Sequence, residues 1–433
     1  MLDYRNFALR KLSAIGPRYL PFADVATEEV PLSRLLRLSL FQVTVGMALV
    51  LLVGTLNRVM IVELSVPATL VAAMLALPLL FAPFRTLIGF KSDTHRSALG
   101  LRRVPYIWKG TMYQFGGFAV MPFALLVLSG YGEAVDAPRW IGLSSAAIAF
   151  LLVGAGVHMV QTVGLALATD LVAEEDQPKV VGLMYVMLLF GMVVSALIFG
   201  AALQTYTPGR LIQVIQGCAV VTVSLNLLAM WKQEARDRAR AMRQASAPRR
   251  NFRDAWAQLV QVPGTVPLLV VIGLGTFGYG MADVLLEPYG GQALGFSVAE
   301  TTRLTALLAG GTLIGFAIAS RVLGSGGAPV ALARIGALVG LPGFAAIILS
   351  SMGGGVPLFL GGVIATGLGA GLFGHATLTA VIRAAPPDHT GLALGAWGAV
   401  QATCAGVGVA LAGIVRDVLL ASGASGSGAH TPY

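Results

Sequence analysis

Two carboxylates, Asp283 and Glu287, lie four residues apart in the run Gly278-Tyr-Gly-Met-Ala-Asp-Val-Leu-Leu-Glu-Pro-Tyr-Gly-Gly291. On a helix that spacing puts both on one face. Their surroundings are apolar, and a carboxylate in such a helix is costly unless it faces a polar interior. Two roles suit the pair: binding a ligand or coupling to protons, or knitting a helix end. Both are expected towards the outer end of their helix, where interfacial water relieves part of the cost. His158 and Gln161 sit three residues apart in a second apolar run, and His375 lies in a third. A neutral imidazole can ligate the magnesium of a chlorin ring or shuttle protons. It can equally be a hydrogen-bonded packing residue. Asp170, Glu174, Glu175 and Asp176 form an acidic connector. It suits a basic partner segment, or an internal pairing with the chain's own Arg-rich connectors.

A further polar constellation is Gly89-Phe-Lys-Ser-Asp93-Thr-His-Arg96, followed by Arg102 and Arg103. Glycine lets two helices approach closely. Asp93 can cap a helix or pair with a basic neighbour. The expected role is a structural clamp. Enzymatic signatures are missing: no phosphate-binding loop, no nucleophile beside a base, and no metal-ligand spacing. Gly367-Leu-Gly-Ala-Gly371 follows no predicted strand, so it reads as a helix-packing surface. Cys218 and Cys404 fall in apolar runs and read as small packing residues.

The elements that must position these groups are long and apolar. Of 433 residues, 56% are hydrophobic and 11% charged. That is too little charge to cover a water-soluble globule. Spans of about 20 apolar residues are expected at Leu36–Thr55, Val66–Leu87, Ile107–Ser129, Trp140–Thr169, Val180–Leu203, Leu211–Trp231, Val266–Glu287, Leu304–Leu323, Val330–Ser350, Val356–Ile382 and Gly391–Leu419. Backbone groups in hydrocarbon must bond internally, so these eleven spans are helices. With the N-terminus cytoplasmic, all but five of the 29 Lys and Arg fall on the cytoplasmic side; Arg58, Arg139, Arg210, Arg303 and Arg416 are the five. The net charge of +9 is thus explained by orientation in a bilayer rather than by nucleic acid.

The chain divides into a cytoplasmic segment (1–35), a six-helix half (36–231), a basic cytoplasmic linker (232–262), a half with five helices (263–420) and an outer-side tail (421–433). Phe252, Trp256, Leu259 and Val260 recur at helical spacing and predict a surface helix at the end of the linker. Gly164-Leu-Ala-Leu-Ala-Thr169 with Gly182-Leu183, and Gly374-His-Ala-Thr-Leu-Thr379 with Gly391-Leu392, occupy matching places in the two halves. This is a parallel repeat of the kind that relates the halves of major facilitator proteins. A second half one span short of six implies a twelfth span in the parent protein.

Several longer runs carry a more specific likeness. Arg18-Tyr-Leu-Pro-Phe-Ala-Asp24, Leu35-Leu-Arg-Leu-Ser-Leu-Phe-Gln42, Gly54-Thr-Leu-Asn-Arg-Val-Met-Ile-Val-Glu63, Ser92-Asp-Thr-His-Arg96, Gln161-Thr-Val-Gly-Leu-Ala-Leu-Ala-Thr-Asp170 and Asp283-Val-Leu-Leu-Glu-Pro-Tyr-Gly-Gly291 resemble the PucC family. That family is the bacteriochlorophyll-delivery branch of the major facilitator superfamily. The resemblance implies a twelve-span-type facilitator fold in the intracytoplasmic inner membrane of a purple phototrophic bacterium. It implies a role in building light-harvesting complexes, with bacteriochlorophyll as the pigment handled. Antenna polypeptides, the reaction centre, and the pigment-synthesis or membrane-insertion machinery are the implied partners. Within the family the reading leans to members that serve the core antenna, with the peripheral antenna as the alternative. The rival from another class is a proton-coupled transporter of a small solute working through Asp283, Glu287 or His158.

Overall fold

The computed structural model describes residues 30–78, 85, 88, 92, 101, 103–130, 136–173, 176–234, 252–351, 355–384 and 390–422. The described elements are helices: α1 (Leu32–Glu63), α2 (Ala68–Ala76), α3 (Val104–Ser129), α4 (Arg139–Asp170), α5 (Gln177–Ala202), α6 (Pro208–Met230), α7 (Phe252–Gln261), α8 (Thr265–Gln292), α9 (Val298–Gly324), α10 (Pro329–Leu349), α11 (Gly355–Ala384) and α12 (Thr390–Ala421). Among the described residues, ten of these are long and apolar enough to cross a bilayer. They coincide with ten of the eleven expected spans. The remaining one, Val66–Leu87, is helical over α2, and most of its second part lies outside the described residues. The tail 421–433 lies almost wholly outside them too.

Packing repeats between the halves. In the first, α3 lies against α4 and α1 against α5; in the second, α10 lies against α11 and α8 against α12. Close approach is made by glycine. A Cβ on Gly371 would stand 2.1 Å from the Thr312 carbonyl oxygen, and one on Gly367 2.2 Å from that of Leu308. The α9–α11 seam is therefore backbone against backbone, as expected where apolar burial gives helices no preference for each other over lipid. The Gly367–Gly371 packing surface read from the sequence is this seam. Large apolar side chains such as Leu274, Leu338 and Ile348 point outward instead, as they must towards lipid tails.

The halves meet along α5 with α9, α2 with α12, and α1 with α8 and α9. Here the first helix departs from expectation. The sequence predicts an end near Thr55, with Arg58 in an outer connector. Instead the helix continues to Glu63 through two π-helical segments, Val50–Leu56 and Val59–Glu63. The reason is that its polar residues find partners across the interface. Asn57 donates to the Val284 carbonyl at 2.7 Å, and Arg58 donates to the Phe296 carbonyl at 3.1 Å and pairs with Glu63. Arg58 is only 3% exposed. Such π segments cluster at functional sites, and this one runs beside the cavity described next.

The predicted surface helix forms as α7. Its Leu259 is buried against Ile272, Leu378, Val381 and Trp397, while Trp256 is exposed.

Candidate functional site

Asp283 and Glu287 line a cavity of about 90 Å³ between the halves. Its walls come from α1 (Leu49, Val53, Gly54), α5 (Met192), α8 and α9 (Leu304, Thr305, Leu308). Gly54 is what admits the carboxylate, since a Cβ there would lie 2.4 Å from Glu287 Oε1. Thr305 donates its hydroxyl to the same oxygen. Glu287 is 3% exposed, and its Oε2 has no hydrogen-bond partner. Asp283 stands one turn away and is exposed on the cavity wall. The expectation that both carboxylates lie at a watered helix end is thus corrected for Glu287. Helix α8 runs on past Pro288 to Gln292, because Pro288, Tyr289 and Gly290 are buried against the α9 side of the bundle rather than released into a loop. The cavity has room for a few waters or a small solute. It falls well short of the roughly 300–1,000 Å³ typical of pockets for larger ligands.

His158 and Gln161 occupy the inner face of α4. His158 is 8% exposed; one nitrogen faces the Pro78 carbonyl, and Nδ1 has no partner. Gln161 joins a polar chain that the sequence pattern does not single out. Arg85 donates through Nη2 to Gln161 Oε1 at 3.0 Å and through Nε to Thr162 Oγ1 at 2.8 Å. Gln161 Nε2 in turn reaches Gln42 Oε1 at 3.5 Å. By sequence Arg85 stands two residues before the end of the expected span Val66–Leu87, where a long side chain can snorkel to the interface. Its inward direction is a tertiary fact. The available signal is the occurrence of Gln42 and Gln161 in two apolar runs. Beside this chain, Tyr185 of α5 packs edge-on against Trp397 of α12, with ring centroids 5.9 Å apart.

His375 is placed elsewhere, on α11 against the ring of Phe316, with centroids 4.1 Å apart. The structure therefore sets His158 in one half and His375 in the other, and neither lines the cavity at Asp283.

Of the connector residues, Gly89, Asp93, Arg96, Arg102, Glu174 and Glu175 lie outside the described residues. Arg103 is buried at the start of α3. It donates to Asp170 Oδ2 at 3.0 Å and to Ser92 Oγ at 2.7 Å. Its backbone N–H and that of Val104 donate to the Glu234 carboxylate at 2.9–3.0 Å. Asp170 is thus engaged inside the protein, the structural alternative for the acidic connector. Asp176 stands at the position preceding α5.

A family model described as PUCC protein matches residues 55–433. The chain belongs to the PucC family. Protein PucC of Rhodobacter capsulatus is 71% identical, over 100% of this chain and 94% of that protein. Protein PucC of Rhodovulum sulfidophilum is 63% identical, over 99% and 94%. A second Rhodobacter capsulatus relative, described as an uncharacterised protein in the puhA-bchM intergenic region, is 49% identical, over 98% and 88%. Among solved structures, a bacterial homologue of the human lysosomal transporter Spinster, inward-facing and unoccupied, aligns with a TM-score of 0.65 and 16% identity, over 90% of this chain and 83% of that one. A point mutant of the nucleoside transporter NupG gives 0.66 and 13%, over 89% and 91%. These structures establish a major facilitator fold for this PucC-family chain, and at such identities they establish the fold alone.

Proposed function

We propose that this PucC-family protein is an assembly factor for light-harvesting antenna complexes of a purple phototrophic bacterium, handling bacteriochlorophyll as cargo and single-span antenna polypeptides as clients. The observation that carries this reading is the 71% identity along the whole chain to a protein named PucC. A cavity of about 90 Å³ is too small to enclose a chlorin, and its walls, mainly Leu, Val, Met and Gly, offer a polar solute few partners. Gly116, Gly217, Gly278 and Gly361, on α3, α6, α8 and α11, have nothing within 4 Å of a would-be Cβ, and small residues on a lipid-facing helix let a second helix approach closely. The physical task is to keep apolar pigments and polypeptides from pairing wrongly in the bilayer until they meet. No catalytic step is assigned.

The reading from sequence leans to the core antenna. Two relatives in one organism differ in similarity, 71% against 49%, and the nearer of the two carries the name PucC. The peripheral antenna is the alternative client, and neither relative's name decides between the two. Deleting the gene in its own host and recording near-infrared absorbance of the membranes tests both. Loss of the core band is the result expected from the sequence reading. Loss of the peripheral bands with the core band kept assigns the client to the peripheral antenna instead. Unchanged antenna content, with no pigment or antenna polypeptide on the purified protein, refutes the assembly role.

Transport of a small solute is the second reading, and the observation favouring it is the pair Asp283 and Glu287 on an inter-half cavity. Solute-driven proton movement in proteoliposomes that Asp283→Asn abolishes would replace the first reading by this one.

A further inference from the structure

Three oxygen-bearing side chains line the one cavity between the halves: Asp283 and Glu287 of α8 and Thr305 of α9. Glu287 Oε1 accepts the Thr305 hydroxyl, whereas Oε2 has no partner in a side chain only 3% exposed. The hydrogen bond uses the hydroxyl proton of Thr305 and leaves the lone pairs of its oxygen able to act as a ligand. Asp283 stands one turn away on the cavity wall, close enough for its charge to act on Glu287. Gly54 of α1 closes the far side of the Glu287 carboxylate.

The charges around this group do not balance. Among the described residues, the cation bearing on Glu287 is Arg58, and its guanidinium already pairs with Glu63 and donates to the Phe296 carbonyl. The rest of the wall is Leu49, Val53, Met192, Leu286, Leu304 and Leu308. Two carboxylates that share such a space repel each other, and an uncompensated buried charge is costly. An ionisable pair inside a membrane bundle marks a functional site by default. A cation with an affinity for oxygen satisfies it, and the volume of about 90 Å³ admits one with a few waters.

The ligand set also limits the charge of the ion. Ca²⁺ takes about 6–8 oxygens, and Mg²⁺ gives up its waters reluctantly and demands near-octahedral geometry. Two carboxylates and one hydroxyl in an otherwise apolar wall do not replace such a shell. A singly charged ion loses far less hydration on entry, and Arg58 already offsets part of the carboxylate charge.

We propose that Asp283 and Glu287, with the Thr305 hydroxyl, form a binding site for a small monovalent cation of the Na⁺ type. The ion ties α8 to α9 at the place where α1 and α5 of the first half close over them. The site goes beyond the antenna reading and stands or falls without it.

The test uses the full chain in phosphatidylcholine nanodiscs at mildly alkaline pH and constant ionic strength, with NaCl exchanged for choline chloride. Bound radioactive Na⁺ is counted, and thermal unfolding is followed in parallel. The wild type is expected to bind one Na⁺ per chain saturably, with a midpoint that rises over the same concentration range. Asp283→Asn and Glu287→Gln keep the side-chain shapes, so in choline both unfold like the wild type. Each weakens Na⁺ binding about ten-fold or more, as loss of a charged partner does. Equal midpoints in NaCl and choline chloride, or Na⁺ binding that survives both substitutions, overturn the site. Absence of bound Na⁺ from mildly acidic to mildly alkaline pH shows that protons alone neutralise the pair, which also overturns it. Displacement of Na⁺ by micromolar Mg²⁺ overturns the monovalent assignment. None of these outcomes bears on the antenna reading, which the gene deletion decides.

Discussion

The α9–α11 seam offers a direct test of how this bundle holds together. Gly371→Ala adds one methyl group, 2.1 Å from the Thr312 carbonyl oxygen and 3.0 Å from the Phe316 nitrogen. Ordinary contact begins near 3.4 Å, so the two helices must part by about 1.3 Å locally, and the obstacle is backbone, which cannot rotate away. Overpacking of this kind costs about 1–3 kcal/mol. The same substitution gains about 0.5–1 kcal/mol by removing a glycine from a helix interior. The net expectation is a loss of about 1 kcal/mol, within the roughly 0–2.5 kcal/mol that the two ranges allow. Gly374 is the matched control: it lies in the same helix with nothing within 4 Å of its would-be Cβ, so Gly374→Ala keeps only the favourable part. Thermal unfolding of detergent-solubilised protein, followed by a thiol-reactive dye at Cys218 and Cys404, reads both variants. The unfolding midpoint should fall by several degrees for Gly371→Ala and hold or rise for Gly374→Ala. Because His375 lies one turn beyond Gly371 and rests on Phe316 of α9, opening the seam should also loosen that ring contact. Equal midpoints for the two variants would refute the claim that backbone contact through glycine sets the distance between α9 and α11.

Two further substitutions test polar contacts. Glu287→Ala should destabilise by about 1–3 kcal/mol, since the Thr305 hydroxyl loses its acceptor in a buried site. Glu287→Gln preserves shape and acceptor and should unfold like the wild type; a reversed order in thermal unfolding would mean that charge rather than shape is what the cavity needs. Glu234→Ala removes the acceptor for the backbone N–H groups of Arg103 and Val104 at the start of α3, a capping loss of about 0.5–2 kcal/mol. An unchanged midpoint for that variant would show that the contact of Glu234 with the start of α3 contributes nothing.

What the sequence by itself determined follows from composition and order. Apolar runs of about 20 residues bond their backbone internally as helices in lipid, so ten of the eleven spans, the surface helix at Phe252–Gln261 and the glycine packing surface were legible. The carboxylates Asp283 and Glu287 were visible because a charge in an apolar run stands out wherever it points. What only the tertiary structure decided is which polar residues near span ends turn inward. Arg58 looks like a loop residue until the continued helix carries it to the Phe296 carbonyl and to Glu63. Arg85 looks like an interfacial anchor until α4 presents Gln161 and Thr162. A long cationic side chain reaches water or the bundle interior from the same backbone position, and the choice rests on partners 76 and 238 residues away in the chain. Local pattern carries no record of those partners. The same holds for Gly54, an ordinary small residue in an apolar helix until folding sets the Glu287 carboxylate where its side chain would have been.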